Sequence, residues 1–172
     1  MKFSAVAVSL VISMGGCASP SSSEARPGFA FIALERSGCF GSCPSYVLTV
    51  FEDGVVRFEG RDFVKRRGIF LSRAPSSAVH ALFAKVEAIG FWDMPNDFSG
   101  TREVVRDGQT VLELAPTDHP SRFVTVEMGG RKKTIRDYWN APASLRDLEK
   151  SIDRVGDAEK WVGRSTTEVP DK

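Results

Sequence analysis

In the stretch SYVLTVF-EDG-VVRFEG, residues 45–60, two runs of strand-forming residues flank a short break at Asp53-Gly54. A period of two sends successive side chains to opposite faces of a sheet, and Asp-Gly supplies the left-handed backbone that a tight two-residue turn requires. The chain is therefore committed to antiparallel hairpins. GFAFIALER, residues 28–36, reads as a preceding strand and GIFLS, residues 68–72, as a following one. RFVTVEMGGRKKTIRDY, residues 122–138, is a further hairpin turning at Gly129-Gly130.

Helical spacing replaces this alternation twice. In APSSAVHALFAKVEAIG, residues 74–90, Val79, Leu82, Phe83, Val86 and Ile89 form one stripe, with Ser76 or Ser77 available as a cap. In APASLRDLEKSIDRVG, residues 141–156, the stripe is Leu145, Leu148, Ile152 and Val155. Both helices open on Ala-Pro, where the missing proline N–H has no helical partner to lose. Both close near a Gly followed by an aromatic: Gly90 with Phe91-Trp92, and Gly156 with Trp161. The expected fold class is α+β, an antiparallel sheet with two amphipathic helices packed on one face, built as a ββα unit used twice. Residues 93–118 carry the weakest signals; TVLEL, residues 110–114, suits a strand entered from Asp107-Gly108.

The chain begins MKFSAVAVSLVISMGGCASP, a single lysine followed by an apolar run too short to span a membrane stably. Gly15-Gly16 before Cys17 resembles the lipobox of bacterial lipoproteins, which implies removal of residues 1–16 and lipidation of Cys17. Multiple acyl chains would anchor the protein to a membrane. Ala18 after the lipidated residue favours the outer membrane by the same resemblance, facing the periplasm; the alternative is a periplasmic or secreted protein. Ser- and Pro-rich residues 17–28 read as a tether, residues 29–163 as one α+β domain and residues 164–172 as a disordered tail.

Loss of residues 1–16 removes one of 23 basic residues and none of 22 acidic ones, so the mature chain is formally neutral. Neutrality and export both argue against nucleic acid as a partner. Export also explains the cysteines. Three is an odd count, and lipidation of Cys17 leaves Cys39 and Cys43 as a pair in an oxidising compartment.

That pair lies in ERSGCFGSCPSY, residues 35–46. A structural disulfide, a redox centre and a metal clamp are the three readings. Redox enzymes commonly lower a thiol pKa at a helix N-terminus within C-x-x-C, whereas this spacing is C-x-x-x-C between two strands. Gly38, Gly41 and Pro44 suit a stapled turn instead. Zinc would need further ligands at short spacing, and His80 and His119 are the only histidines. His80 falls beside the stripe of the first helix; His119 neighbours Asp118 in a loop, and adjacent side chains diverge. No nucleophile elbow, zinc-protease helix, P-loop or dinucleotide-binding glycine pattern occurs, so no catalytic residue, cofactor or metal is assigned.

The residues LERSGCFGSCPSYVLTVFEDGVVRFEG, FVKRRG and APASLRDLEKSIDRVGDAEKW resemble the bacterial family known as domain of unknown function 6438, over about residues 30–162. The resemblance implies an exported protein or lipoprotein and brings no catalytic residues. VVRDGQTVLELAPTDHP runs longer than the family pattern.

If the two hairpins lie side by side, Arg61, Lys65, Arg66, Arg67, Arg131, Lys132 and Lys133 gather into a positive face for an anionic glycan or an acidic partner protein. Otherwise they are solvated charges that discourage edge-to-edge aggregation. The expectation is a lipid-anchored envelope protein, non-enzymatic, that binds another envelope component through a sheet face or edge, with exposed aromatics such as Tyr138 and Trp139 as markers. Two alternatives remain open: a thiol-redox or other small envelope enzyme with its site at the Cys39–Cys43 turn, and a hydrolase inhibitor.

Overall fold

The computed structural model describes residues 29–163. The leader, Cys17, the tether 17–28 and the tail 164–172 lie outside the described residues.

Four strands come first: β1 (Phe31–Arg36), β2 (Tyr46–Phe51), β3 (Val55–Gly60) and β4 (Gly68–Arg73). Helix α1 (Ser76–Ala88) follows, then a 3-10 turn at Phe91–Asp93, the ribbon β5 (Arg102–Arg106) and β6 (Gln109–Glu113), and the hairpin β7 (Arg122–Met128) and β8 (Arg131–Asp137). Helices α2 (Ala143–Val155) and α3 (Ala158–Val162) end the described chain. The main sheet has the order β4-β3-β2-β1-β7-β8, antiparallel throughout, and β5-β6 stands as a separate pair. The class is α+β, with the helices on one side of the sheet.

Alternation decides which side. Ile32, Leu34, Leu48, Val50, Val56, Phe58, Val124, Val126 and Ile135 share one face and are buried against Val79, Leu82 and Val86 of α1 and Leu145, Leu148 and Ile152 of α2. Each such side chain removed from water contributes about 1.5–3 kcal/mol, which is what holds helices to sheet. Phe83, Ile89 and Val155, also on the expected stripes, are half-buried. The short helix α3, not anticipated from the sequence, brings Trp161 onto Phe58 and Phe70 with ring centroids 5.7 and 5.2 Å apart. Gly156 allows this turn of chain because a Cβ there would meet the Leu48 side chain at 2.5 Å.

Three local expectations are corrected. The β2–β3 connection is a three-residue loop in which only Gly54 is left-handed (φ 84°), with Asp53 accepting a hydrogen bond from the Val55 N–H at 3.0 Å. Three-residue hairpins use a single left-handed residue, so Asp53 need not adopt that strain. Pro75 and Pro142 sit at the N-cap itself, and neither helix has a side-chain cap, so Ser76 is helical and does not cap. The middle region forms a complete hairpin: β5 was not expected, and Asp107 (φ 51°) with Gly108 (φ 76°) makes the two-residue turn.

The two sheet edges are treated differently by the chain. Along β8, Phe98 N–H donates to Arg136 O at 2.9 Å and Arg136 N–H to Asn96 O at 2.9 Å, while Lys133 Nζ donates to the carbonyl of Trp92 at 2.8 Å and to that of Met94. Along the outer edge of β4, no backbone bond is made among the described residues.

Candidate functional site

The connection from β1 to β2 is fastened at both feet. Ser37 N–H donates to Ser121 O at 2.9 Å, and Ser121 N–H donates to Ser37 Oγ at 2.8 Å. On the other side Ser45 exchanges backbone bonds with the loop after β3: its N–H donates to Asp62 O and its carbonyl accepts from Arg61 N–H, both at 2.9 Å. Between these anchors Cys39 and Cys43 form a disulfide with their Cα atoms 5.5 Å apart. The bridge forces the intervening chain outward, and Phe40 at its tip is 98% exposed. A large apolar side chain held in water on a covalently closed loop gains nothing for the fold.

A second aromatic lies on the adjoining loop. Phe63 is 55% exposed and holds φ at 52°, a conformation that costs a bulky residue roughly 1–3 kcal/mol. The loop 61–67 meets Ser45 of the disulfide segment, so the two exposed rings belong to the same end of the sheet.

Beneath this end runs a buried ionic layer. Tyr46, Arg36, Arg122 and Asp137 are successive partners across β2, β1, β7 and β8, all on the helix-facing side. Glu149 and Asp153, one turn apart on α2, meet them. Arg36 Nε donates to the Tyr46 hydroxyl at 2.8 Å, and both pair with Asp153, the hydroxyl donating to Oδ1 at 2.7 Å. Arg122 reaches Asp137 at 2.7 Å and Glu149 at 3.3 Å; Arg146 approaches Asp137 at 3.7 Å.

Burial sets the protonation of this layer. It pushes the Glu149 carboxyl up to about 8, with Arg122 opposing and Asp137 reinforcing the shift. Burial and then Asp153 raise the Tyr46 phenol, which stays a donor. For Arg36, burial works against the charge, but Asp153 and Tyr46 outweigh it and hold the guanidinium above its ordinary value. The carboxylates are sealed, Asp137 completely, while the arginines keep an edge in solvent. A solute therefore meets guanidinium edges and no accessible general acid or base. The layer positions α2 on the sheet.

The sequence-selected residues fall in separate places. Arg61, Lys65, Arg66 and Arg67 lie beyond the last residue of β3, at one edge of the sheet. Arg131, Lys132 and Lys133 begin β8, at the other edge and the opposite end. The β2-β3 and β7-β8 hairpins are not side by side, because β1 lies between them, and with the two basic clusters at opposite edges and opposite ends no single positive face forms. Arg61 pairs with Glu35 at 2.5 Å, Arg67 with Asp62 at 3.5 Å and Lys132 with Glu127 at 3.2 Å; Arg131 lies 4.2 Å over the Trp92 ring.

His80 is exposed on α1. His119 is half-buried, its ring against Tyr138 and Trp139 at 5.6 and 6.3 Å and its Nδ1 3.0 Å from Pro120 O, rather than on Asp118. Tyr138 and Trp139 are half-buried beneath Arg136 and Arg102, so they do not serve as the exposed aromatics; Phe40 and Phe63 do. No group of three or more metal-ligating side chains occurs among the described residues. Sequence reasoning missed the ionic layer, whose one visible signal was charge at strand positions of inward parity.

A family model described as Domain of unknown function (DUF6438) matches residues 30–156. No curated protein and no solved structure matches the chain.

Proposed function

The chain belongs to the family described as Domain of unknown function (DUF6438), and from that premise we propose that it is a lipid-anchored protein of the bacterial cell envelope whose domain binds another envelope protein and carries out no catalysis. The reading rests on the apolar leader ending in Gly15-Gly16-Cys17 and on a disulfide suited to an oxidising compartment. It places the protein on the outer membrane, facing the periplasm.

The observation that carries the binding role is Phe40. Aromatic side chains fixed before contact lose little entropy when a partner covers them, and such residues dominate interface energetics. The disulfide supplies that fixing, and the strained Phe63 at the same end of the sheet is a second apolar anchor. A protein partner fits better than an anionic glycan, because the basic residues are divided between opposite corners of the sheet. A single apolar side chain on a stapled projection also fits a hydrolase cleft, which is the second reading.

Two variants test the halves of this proposal. Cys17→Ala should abolish lipid labelling and release the protein from membranes; unchanged labelling refutes the anchor. Phe40→Ser should leave the unfolding midpoint unchanged while abolishing recovery of a partner in a pull-down from detergent-solubilised envelopes. Undiminished recovery refutes the contact. Inhibition of a purified envelope hydrolase that disappears in Phe40→Ser would move the assignment to the second reading.

A further inference from the structure

We propose that the outer edge of β4 accepts an extended acidic peptide segment as a seventh strand of the sheet. This goes beyond the Phe40 contact and uses a different surface.

An unpaired edge offers backbone donors and acceptors to another chain, and proteins usually blunt or cover it. Here the chain covers one edge itself, with residues 92–98 along β8, and leaves β4 open among the described residues. The open strand is well supported from behind. Its six residues pair in full with β3, and Phe70 on its inner side stacks on Trp161. Its outward residues are Ile69, 51% exposed, and Leu71, 68% exposed. Charges placed to blunt an edge would occupy these positions. Instead the charges stand at the ends: Arg66 and Arg67 before the strand and Arg73 at its close.

That distribution selects the occupant. Added strands gain affinity from main-chain bonds and specificity from alternate side chains. Apolar residues at alternate positions would cover Ile69 and Leu71, and carboxylates at the two ends would face Arg66 with Arg67 and Arg73. A second copy of this chain suits the edge poorly. Antiparallel pairing in full overlap sets Arg73 of one copy opposite Gly68 of the other, next to Arg67, and the mismatch repeats at the far end. Like charges facing across strands are destabilising. Lipid suits it poorly too, since acyl chains offer no partner to backbone N–H and C=O groups.

The probes are two terminally blocked eight-residue peptides of alternating valine and threonine, one ending in glutamates and one in lysines, titrated into the full-length chain. Calorimetry and amide hydrogen exchange read the result. Binding of the acidic peptide, at least tenfold tighter than the lysine peptide and with slowed exchange at the β4 amides not bonded to β3, is expected. The double variant R67E/R73E, which leaves the β3 ladder and Trp161 packing in place, should reverse the preference. Equal binding of both peptides, no binding of either at millimolar concentration, protection mapped away from β4, or protection of β4 by self-association without peptide would each overturn the proposal. So would binding to phosphatidylglycerol vesicles with no binding of the acidic peptide. The assay reads β4 alone, so it can fail while the Phe40 contact stands.

Discussion

Arg36 and Arg122 stand directly opposite one another on β1 and β7, on the helix-covered side of the sheet. Two guanidinium groups in that position repel unless countercharges reach them, and the countercharges come from elsewhere in the fold: Asp153 from α2 and Asp137 from β8, while the mostly protonated Glu149 carboxyl of α2 also meets Arg122. The arginine pair therefore ties the orientation of α2 to the register of three strands. Buried ion pairs of this kind add little net stability but penalise loss of one partner heavily.

Removal of a countercharge is the first consequence. Asp153→Ala leaves Arg36 and the Tyr46 hydroxyl without their shared acceptor, and should cost about 3 kcal/mol. Urea unfolding measures it. Glu35→Ala, which breaks the solvent-exposed pair with Arg61, should stay within about 1 kcal/mol of the parent. Equal effects from the two variants would contradict the ionic layer as described.

Glu149 gives a pH dependence whose sign is fixed. Its carboxyl is raised to about 8 in the folded protein against about 4.5 in the unfolded chain. The native state therefore binds the extra proton between these values, and stability falls as pH rises through the window, levelling off above about 8. Glu149→Gln should flatten that slope and leave the variant more stable than the parent at pH 9 by at least about 1 kcal/mol. Denaturation midpoints at pH 5, 7 and 9 read the difference; parallel profiles for the two proteins would refute it.

The disulfide closes a ring of five residues, from Cys39 to Cys43. Chain entropy assigns such a ring about 2 kcal/mol, so Cys39→Ser should lower unfolding free energy by about that amount without disturbing the ladders on either side. Thermal melts and far-ultraviolet circular dichroism of the variant check both halves. A collapse of sheet signal would show that the loop is part of the core.

Phe63 stores strain while more than half of its surface stays exposed. Asparagine tolerates the left-handed region, so Phe63→Asn should raise stability by about 1 kcal/mol. A loss of stability on the same scale would mean that the ring has a structural partner. Comparison of urea midpoints decides between them.

What could be read in advance followed the local signals. Alternation in residues 45–60 and 122–138 and the two helical stripes involve neighbours in sequence, and they set the α+β class. Strand order did not follow, because nothing local says that β7 joins β1 rather than extending the β3-β4 edge; the supposed basic face failed for this reason. The ionic layer was hidden by the same distance, since Arg36 and Asp153 are 117 residues apart. Arg36, Arg122 and Asp137 did occupy strand positions of the same parity as buried Leu34, Val124 and Ile135, which is the pattern a charged residue shows when a partner awaits it across the core. Cys39 and Cys43 were legible as a pair, whereas the projection of Phe40 depended on both feet of the loop being tied down.

Photo-cross-linking from position 40 in intact cells tests the central claim most directly. A photoreactive phenylalanine analogue at that site should give one discrete adduct with another envelope protein, absent when the analogue replaces exposed Lys150 on α2 and weakened at least tenfold by Cys39→Ser. Adducts of equal yield from both positions, or none from position 40, would contradict the assignment of the stapled loop as the binding element.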